Sequence, residues 1–156
     1  MSINLKSLGL VIDLATRKRD EAGTMVAGAM RDLSQAKLQL RQLTDFASDG
    51  EAKWRNRAAE GVSVALMLHQ RAFAEKIQQA VDFQGNVTQQ KESALEAARS
   101  HLQAREVELA TLQKVAERTR LAQQTAEHKR SQKQTDEMAM SMLAYQRRQN
   151  EQEALT

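Results

Sequence analysis

The sequence predicts an all-α fold, a long two-helix antiparallel coiled-coil hairpin whose second helix overhangs the first. Three observations carry that expectation. The 156 residues hold no Pro and only six Gly, so the residues that break helices are scarce. Ala (24) and Gln (18) are abundant, charged side chains make up 28% and aromatic ones 3%, which is the mix of long helices rather than of a deep core. Apolar residues recur at alternate steps of three and four along the first third of the chain, as in a helix that meets a partner along a narrow seam.

That seam runs through Leu5, Leu8, Ile12, Ala15, Arg19, Ala22, Val26, Ala29, Leu33, Ala36, Leu40, Leu43 and Ala47. Only Arg19 is not apolar. A strict 3-4 repeat predicts a supercoiling helix, and at 1.5 Å per residue the segment is about 65 Å long. Gly23 and Gly28 lie off the seam and each costs about 1 kcal/mol relative to Ala. They are either tolerated surface glycines or places where another helix comes close.

The seam ends at Ser48-Asp49-Gly50, and the register is lost between there and Gly61. Asp-Gly is a turn dipeptide, and Gly61 is a residue able to supply a positive φ value at the bend. The first helix is expected over about residues 3–57 and the bend over about 58–62. The second helix is then expected over about 63–147, the whole of 1–156 forming one hairpin.

On the second helix, Val62, Leu66, His69, Phe73, Ile77, Ala80, Gln84, Val87, Leu95, Ala98, Leu102, Leu109 and Ala116 share a face at 100° per residue. A short connection makes the two helices antiparallel neighbours. Their lengths differ. Antiparallel pairing places Leu5 near Leu112 and leaves roughly 30 to 40 residues without an intramolecular partner. A lone helix of that length is marginal in water, so it is expected to order against a partner.

Residues 114–136 carry six basic and three acidic side chains, and Met138, Met140, Met142, Leu143 and Tyr145 follow as an apolar patch. Met suits adaptable binding surfaces, although a solvated tail with incidental methionines is the competing reading. Between Val62 and Val87 the apolar arc widens, with Val81 and Phe83 on its flanks. Phe73, Ile77, Ala80 and Gln84 either belong to the seam or face a partner. Phe46, Trp54, Phe73 and Phe83 all fall toward the bend, whereas Tyr145 stands alone on the overhang.

Little in the sequence suggests chemistry. There is no Cys, and so no disulfide, thiolate metal site or cysteine nucleophile. His69, His101 and His128 lack metal-ligand spacing, and no phosphate loop or nucleophile elbow is present. A two-helix seam offers no concavity in which to perturb carboxylates, so neither an enzyme nor a cofactor is expected. The mixed cluster Arg17-Lys18-Arg19-Asp20-Glu21 reads as a solvated helix face, supported by Asp13 and Arg17 at i,i+4. Net charge is +3 with 23 basic and 20 acidic residues interspersed, which leaves no nucleic-acid footprint. The longest uncharged stretch, Gly61 to Gln70, is far shorter than the ~20 residues a membrane span needs. The N-terminal run is broken by Lys6 and Asp13, unlike a signal peptide.

Five pieces, in order, carry a family resemblance. They are Leu14-Ala15-Thr16-Arg17-Lys18-Arg19-Asp20-Glu21-Ala22, Gln39-Leu40-Arg41-Gln42-Leu43-Thr44-Asp45-Phe46, Gly61-Val62-Ser63, His69-Gln70-Arg71-Ala72-Phe73 and Gln132-Lys133-Gln134-Thr135-Asp136-Glu137-Met138-Ala139. Together they resemble the FliJ family of flagellar export proteins. The resemblance implies a non-enzymatic stalk that engages the central opening of the hexameric export ATPase FliI with the end bearing its termini. It also implies promotion of ATPase assembly and activity, and contacts with the export-gate protein FlhA and with export chaperones. By match to the family motif, Gln132, Lys133, Asp136 and Glu137 are the candidates for ATPase binding, and Phe73, Ile77, Ala80 and Gln84 for gate binding. A protein monomeric on its own, peripheral at the cytoplasmic face of the inner membrane at the flagellar base, follows from the same resemblance. The equivalent stalk of a virulence type III secretion system and a generic coiled-coil scaffold are the alternatives.

Overall fold

A computed structural model describes residues 4–156. These residues form two α-helices and no strand, α1 over Leu5–Ala59 and α2 over Val64–Ala154. The expected helix start at residue 3 lies outside the described residues. The expected ends near 57 and 147 lie further along, because no Pro follows and no Gly occurs after Gly85 to stop α2. By its contacts the chain divides into two compact units, Ala15–Glu108 and Met1–Leu14 with Leu109–Thr156.

The unit Ala15–Glu108 is an antiparallel helical hairpin. Its turn is built from local hydrogen bonds: Glu60 N–H donates to the Arg57 carbonyl at 3.2 Å, and Gly61 N–H to that of Ala58 at 3.1 Å. Gly61 has φ of 95°, a conformation in which a Cβ is strained, so glycine is the natural residue there. Ser63 then caps α2, its hydroxyl accepting from Leu66 N–H at 3.2 Å and satisfying a donor that the first helical turn leaves unpaired.

From Ala15 to Ala47, every α1 stripe position is buried or half-buried, Arg19 included. Ala15, Ala22, Ala29 and Ala36 recur every seven residues along it, and Ala22 is 1% exposed. The facing stripe on α2 consists of Leu66, Gln70, Ile77, Val81, Gln84, Thr88, Lys91, Leu95, Ala98, Leu102 and Arg105, all buried or half-buried. This differs from the sequence reading at three places, one of them Phe73, which is exposed. His69 is exposed and Gln70 takes its place, while Thr88, beside the half-buried Val87, is the buried residue. A hydrogen-bonded layer explains the buried polar groups: Gln84 Nε2 donates to the Ala36 carbonyl at 3.1 Å and to Gln39 Oε1 at 3.2 Å, and Thr88 Oγ1 donates to the Gln84 carbonyl at 2.9 Å. A Cβ added at Gly23 or Gly28 meets nothing within 4 Å, which matches the tolerated-glycine reading and not a close helix approach.

In the unit Met1–Leu14 with Leu109–Thr156, Asn4 caps α1, its Oδ1 accepting from Lys6 N–H at 3.0 Å. Leu8 and Leu109 are buried, and Leu5, Ile12, Leu112, Val115, Ala116 and Thr119 are half-buried. Cover on α2 therefore continues two turns past Leu112, the position that sequence pairing set opposite Leu5. From residue 120 onward α2 is exposed at every position while remaining helical to Ala154.

Candidate functional site

Two surfaces stand out, one in each unit. In the hairpin unit, the last turns of α1 and the first turns of α2 leave a groove of about 410 Å³ lined by Phe46, Trp54, Met67, Phe73 and Ile77 among others. Its apolar floor arises from the register: residues near 50 on α1 and 70 on α2 fall where the facing stripes thin out, so large rings line the gap and stay partly in water. Phe73 is 46% exposed and Phe46 55%. A second hollow shares Phe46, Trp54 and Phe73 and continues to Asp49, Lys53 and Arg57.

The residues expected to meet the gate separate in this geometry. Phe73 and Ile77 line the groove together, Phe73 exposed and Ile77 half-buried. Ala80 is half-buried and lies outside it, and Gln84 directs its amide at α1. Trp54 and Phe46 were legible as aromatics near the bend. Met67, Lys53 and Arg57 lie outside both apolar stripes, and Lys53 and Arg57 are one turn apart on the helix that carries Trp54.

In the other unit the candidate surface is the uncovered part of α2. Gln132, Lys133, Asp136 and Glu137 are all exposed. Gln132 and Asp136 are one turn apart, as are Lys133 and Glu137, so the four side chains occupy two adjacent strips of one face. Beyond them, nine residues from Met138 to Gln146 carry no charge. At 100° per residue Met138, Met142 and Tyr145 point one way, Leu143 and Met140 the other, and Ala139 and Ala144 fill the sides. The result is a largely apolar collar around the helix, interrupted by Ser141 on one side and Gln146 on the other, with Met138, Met140 and Met142 each about 70% exposed. Where the covered part of α2 ends, Arg120 and Glu117 pair at 2.7 Å. Their hydrogen bond, and then their Coulomb attraction, hold the Glu117 carboxyl below its usual range and raise the Arg120 guanidinium.

Among the described residues no group of three or more His, Asp or Glu is placed to hold a metal ion, and no helix is long and apolar enough to cross a membrane. No curated protein and no solved structure matches the chain significantly. The family model described as "Flagellar FliJ protein" matches residues 5–150, from the first turn of α1 to the last turns of α2. That match indicates a component of the flagellar export apparatus and no enzymatic family. The extent of the match, over nearly the whole of two long helices, establishes that this chain belongs to the FliJ family.

Proposed function

We propose that the chain is a non-enzymatic stalk of the flagellar type III export apparatus, which binds the hexameric export ATPase FliI through its uncovered helix, promotes ring assembly and turnover, and couples the ring to the export gate. The observation that carries this reading is the apolar collar at residues 138–146. A helix that is apolar on one stripe suits a flat partner, whereas one with large apolar side chains on opposite sides suits a partner that encloses it. A central opening in a ring is such a partner. Gln132, Lys133, Asp136 and Glu137, in the two turns that run directly into the collar, are the polar contacts at the mouth of that opening.

At the other surface, Phe73, Ile77, Ala80 and Gln84 are proposed to serve the gate protein FlhA, with Phe73 as the exposed anchor and Gln84 holding the local register of the two helices. Export chaperones are further partners in this reading. The protein is proposed to be monomeric on its own and to reach the cytoplasmic face of the inner membrane through its partners. The deciding experiment adds the purified full chain to the cognate export ATPase and follows ATP hydrolysis. Stimulation at substoichiometric ratios to the ATPase subunit is expected, and an unchanged rate at saturating chain refutes the stalk role.

A further inference from the structure

We propose that the groove beside the turn receives an acidic segment anchored by a large apolar side chain, contributed by the partner at the gate-facing surface. The proposal rests on the gate-side reading of that surface and adds the chemistry of what binds there. Several independent observations converge on it. The groove has the size of a pocket that buries an anchoring side chain, about 410 Å³, and its floor is Phe46, Trp54, Met67, Phe73 and Ile77. Aromatic rings that line a hollow while partly exposed are the usual anchors of an interface.

The rim sets the sign of charge. Glu51 and Arg71 line the groove itself with balanced charge and are both paired, Glu51 with Arg55 at 3.1 Å and Arg71 with Glu75 at 3.9 Å, so any excess charge comes from the adjoining hollow. Lys53 and Arg57 line the adjoining hollow and make no ion pair. They lie one turn apart on one face of α1, so both reach the same strand of a bound segment. Asp49 is the acid of that hollow, leaving it with one excess positive charge, and Glu60 lies in the turn. α2 also begins close by, with Val64-Ala65-Leu66-Met67 and no acidic residue in its first turn to offset the positive end of the helix dipole. An apolar floor with a cationic rim selects a segment in which acidic residues flank a Leu or aromatic anchor.

The test is binding of the full chain to the cytoplasmic part of the gate protein, followed by Trp54 emission and by calorimetry at low and high salt. Lys53→Glu with Arg57→Glu is expected to weaken binding at least tenfold and to reverse the sign of its salt dependence, with the helical circular dichroism unchanged because both side chains are exposed. Lys53→Gln with Arg57→Gln is expected to give a smaller loss in the same direction. Phe73→Ala separates the two levels of the argument. If Phe73→Ala loses binding while the charge-reversed protein binds like the parent, the acidic preference is overturned and the gate-side reading stands. If neither variant loses binding, the gate contact lies elsewhere and both fall. Self-association of the chain that disappears in the charge-reversed protein would identify a second copy as the occupant and overturn the assignment to the gate partner.

Discussion

Gln84 donates from Nε2 to the main-chain carbonyl of Ala36 at 3.1 Å, joining the two helices of the hairpin unit across their seam. The same amide reaches Gln39 Oε1, and Thr88 follows one turn later, where it is buried. A seam this thin, in which no large side chain is fully buried, gains little from apolar area alone. A polar layer at one level serves a different purpose, because sliding the helices by a turn would strand its donors among Ala and Leu. Gln84→Ala is expected to lower stability by about 1 kcal/mol, the usual net worth of such hydrogen bonds. The urea midpoint measures this. An unchanged midpoint would mean that the layer contributes nothing to register.

The glycines offer a pair of predictions with opposite signs. Gly61 holds φ of 95°, so Gly61→Ala forces an L-residue into a strained conformation and should cost about 1 kcal/mol or more. Gly23 and Gly28 lie in helical backbone with open space where a Cβ would go. Replacing either with Ala should stabilise by about 0.5–1 kcal/mol, through helix propensity and a less flexible unfolded chain. Thermal unfolding of the three variants checks both signs, and destabilisation by Gly28→Ala would reveal a contact that the open space conceals.

The contrast between the two stripes shows what the sequence disclosed and what it hid. On α1 the 3-4 repeat from Leu5 to Ala47 falls on covered positions throughout, because its side chains are nearly all apolar and the spacing itself follows the coiled-coil period. On α2 the covered residues Gln70, Ile77, Gln84, Lys91, Ala98, Arg105, Leu112 and Thr119 keep a seven-residue spacing with polar side chains at more than half of the positions. A search for apolar residues at 100° per residue drifts about 20° per heptad from such a spacing. It therefore selects His69, which is exposed, and passes over Gln70, Lys91 and Arg105, which are half-buried and have long stems suited to lying along a seam. The collar at 138–146 was legible as a cluster of Met, but its closure around the helix needed the uninterrupted helix through Ala154. The groove was hidden because its floor draws on residues from both helices, and no spacing within either one signals it.

Phe73 and Leu95 lie on the same helix and should respond to truncation in different ways. Leu95 is 7% exposed in the seam, and Leu95→Ala is expected to cost about 2–3 kcal/mol. Phe73 keeps nearly half its surface in water, so Phe73→Ala should cost less than about 2 kcal/mol and leave the hairpin folded. Gate binding by the Phe73 variant, measured where it is fully helical, is expected to fall at least tenfold. A loss of stability equal to that of Leu95→Ala would instead make the ring part of the hairpin core.

The uncovered part of α2 yields the sharpest separation between folding and function. Cover on α2 ends at Thr119, and no residue from 120 onward is buried or half-buried. Ending the chain after Arg130 should therefore leave the thermal unfolding of the remaining helices unchanged, because the lost segment contributes no packing to them. The same truncation should abolish stimulation of the export ATPase, since it removes Gln132, Lys133, Asp136, Glu137 and the collar together. Two fuller-length variants then divide the work. Replacing Met138, Met142 and Tyr145 with Gln keeps the helix and makes one side of the collar polar, which should raise the concentration needed for half-maximal stimulation by more than tenfold. Replacing Gln132, Lys133, Asp136 and Glu137 with Ala improves helix propensity and removes the polar contacts. It is expected to weaken stimulation while leaving the helical content unchanged or higher. Full stimulation by the truncated chain would place the ATPase contact before residue 131 and remove Gln132, Lys133, Asp136, Glu137 and the collar from the mechanism.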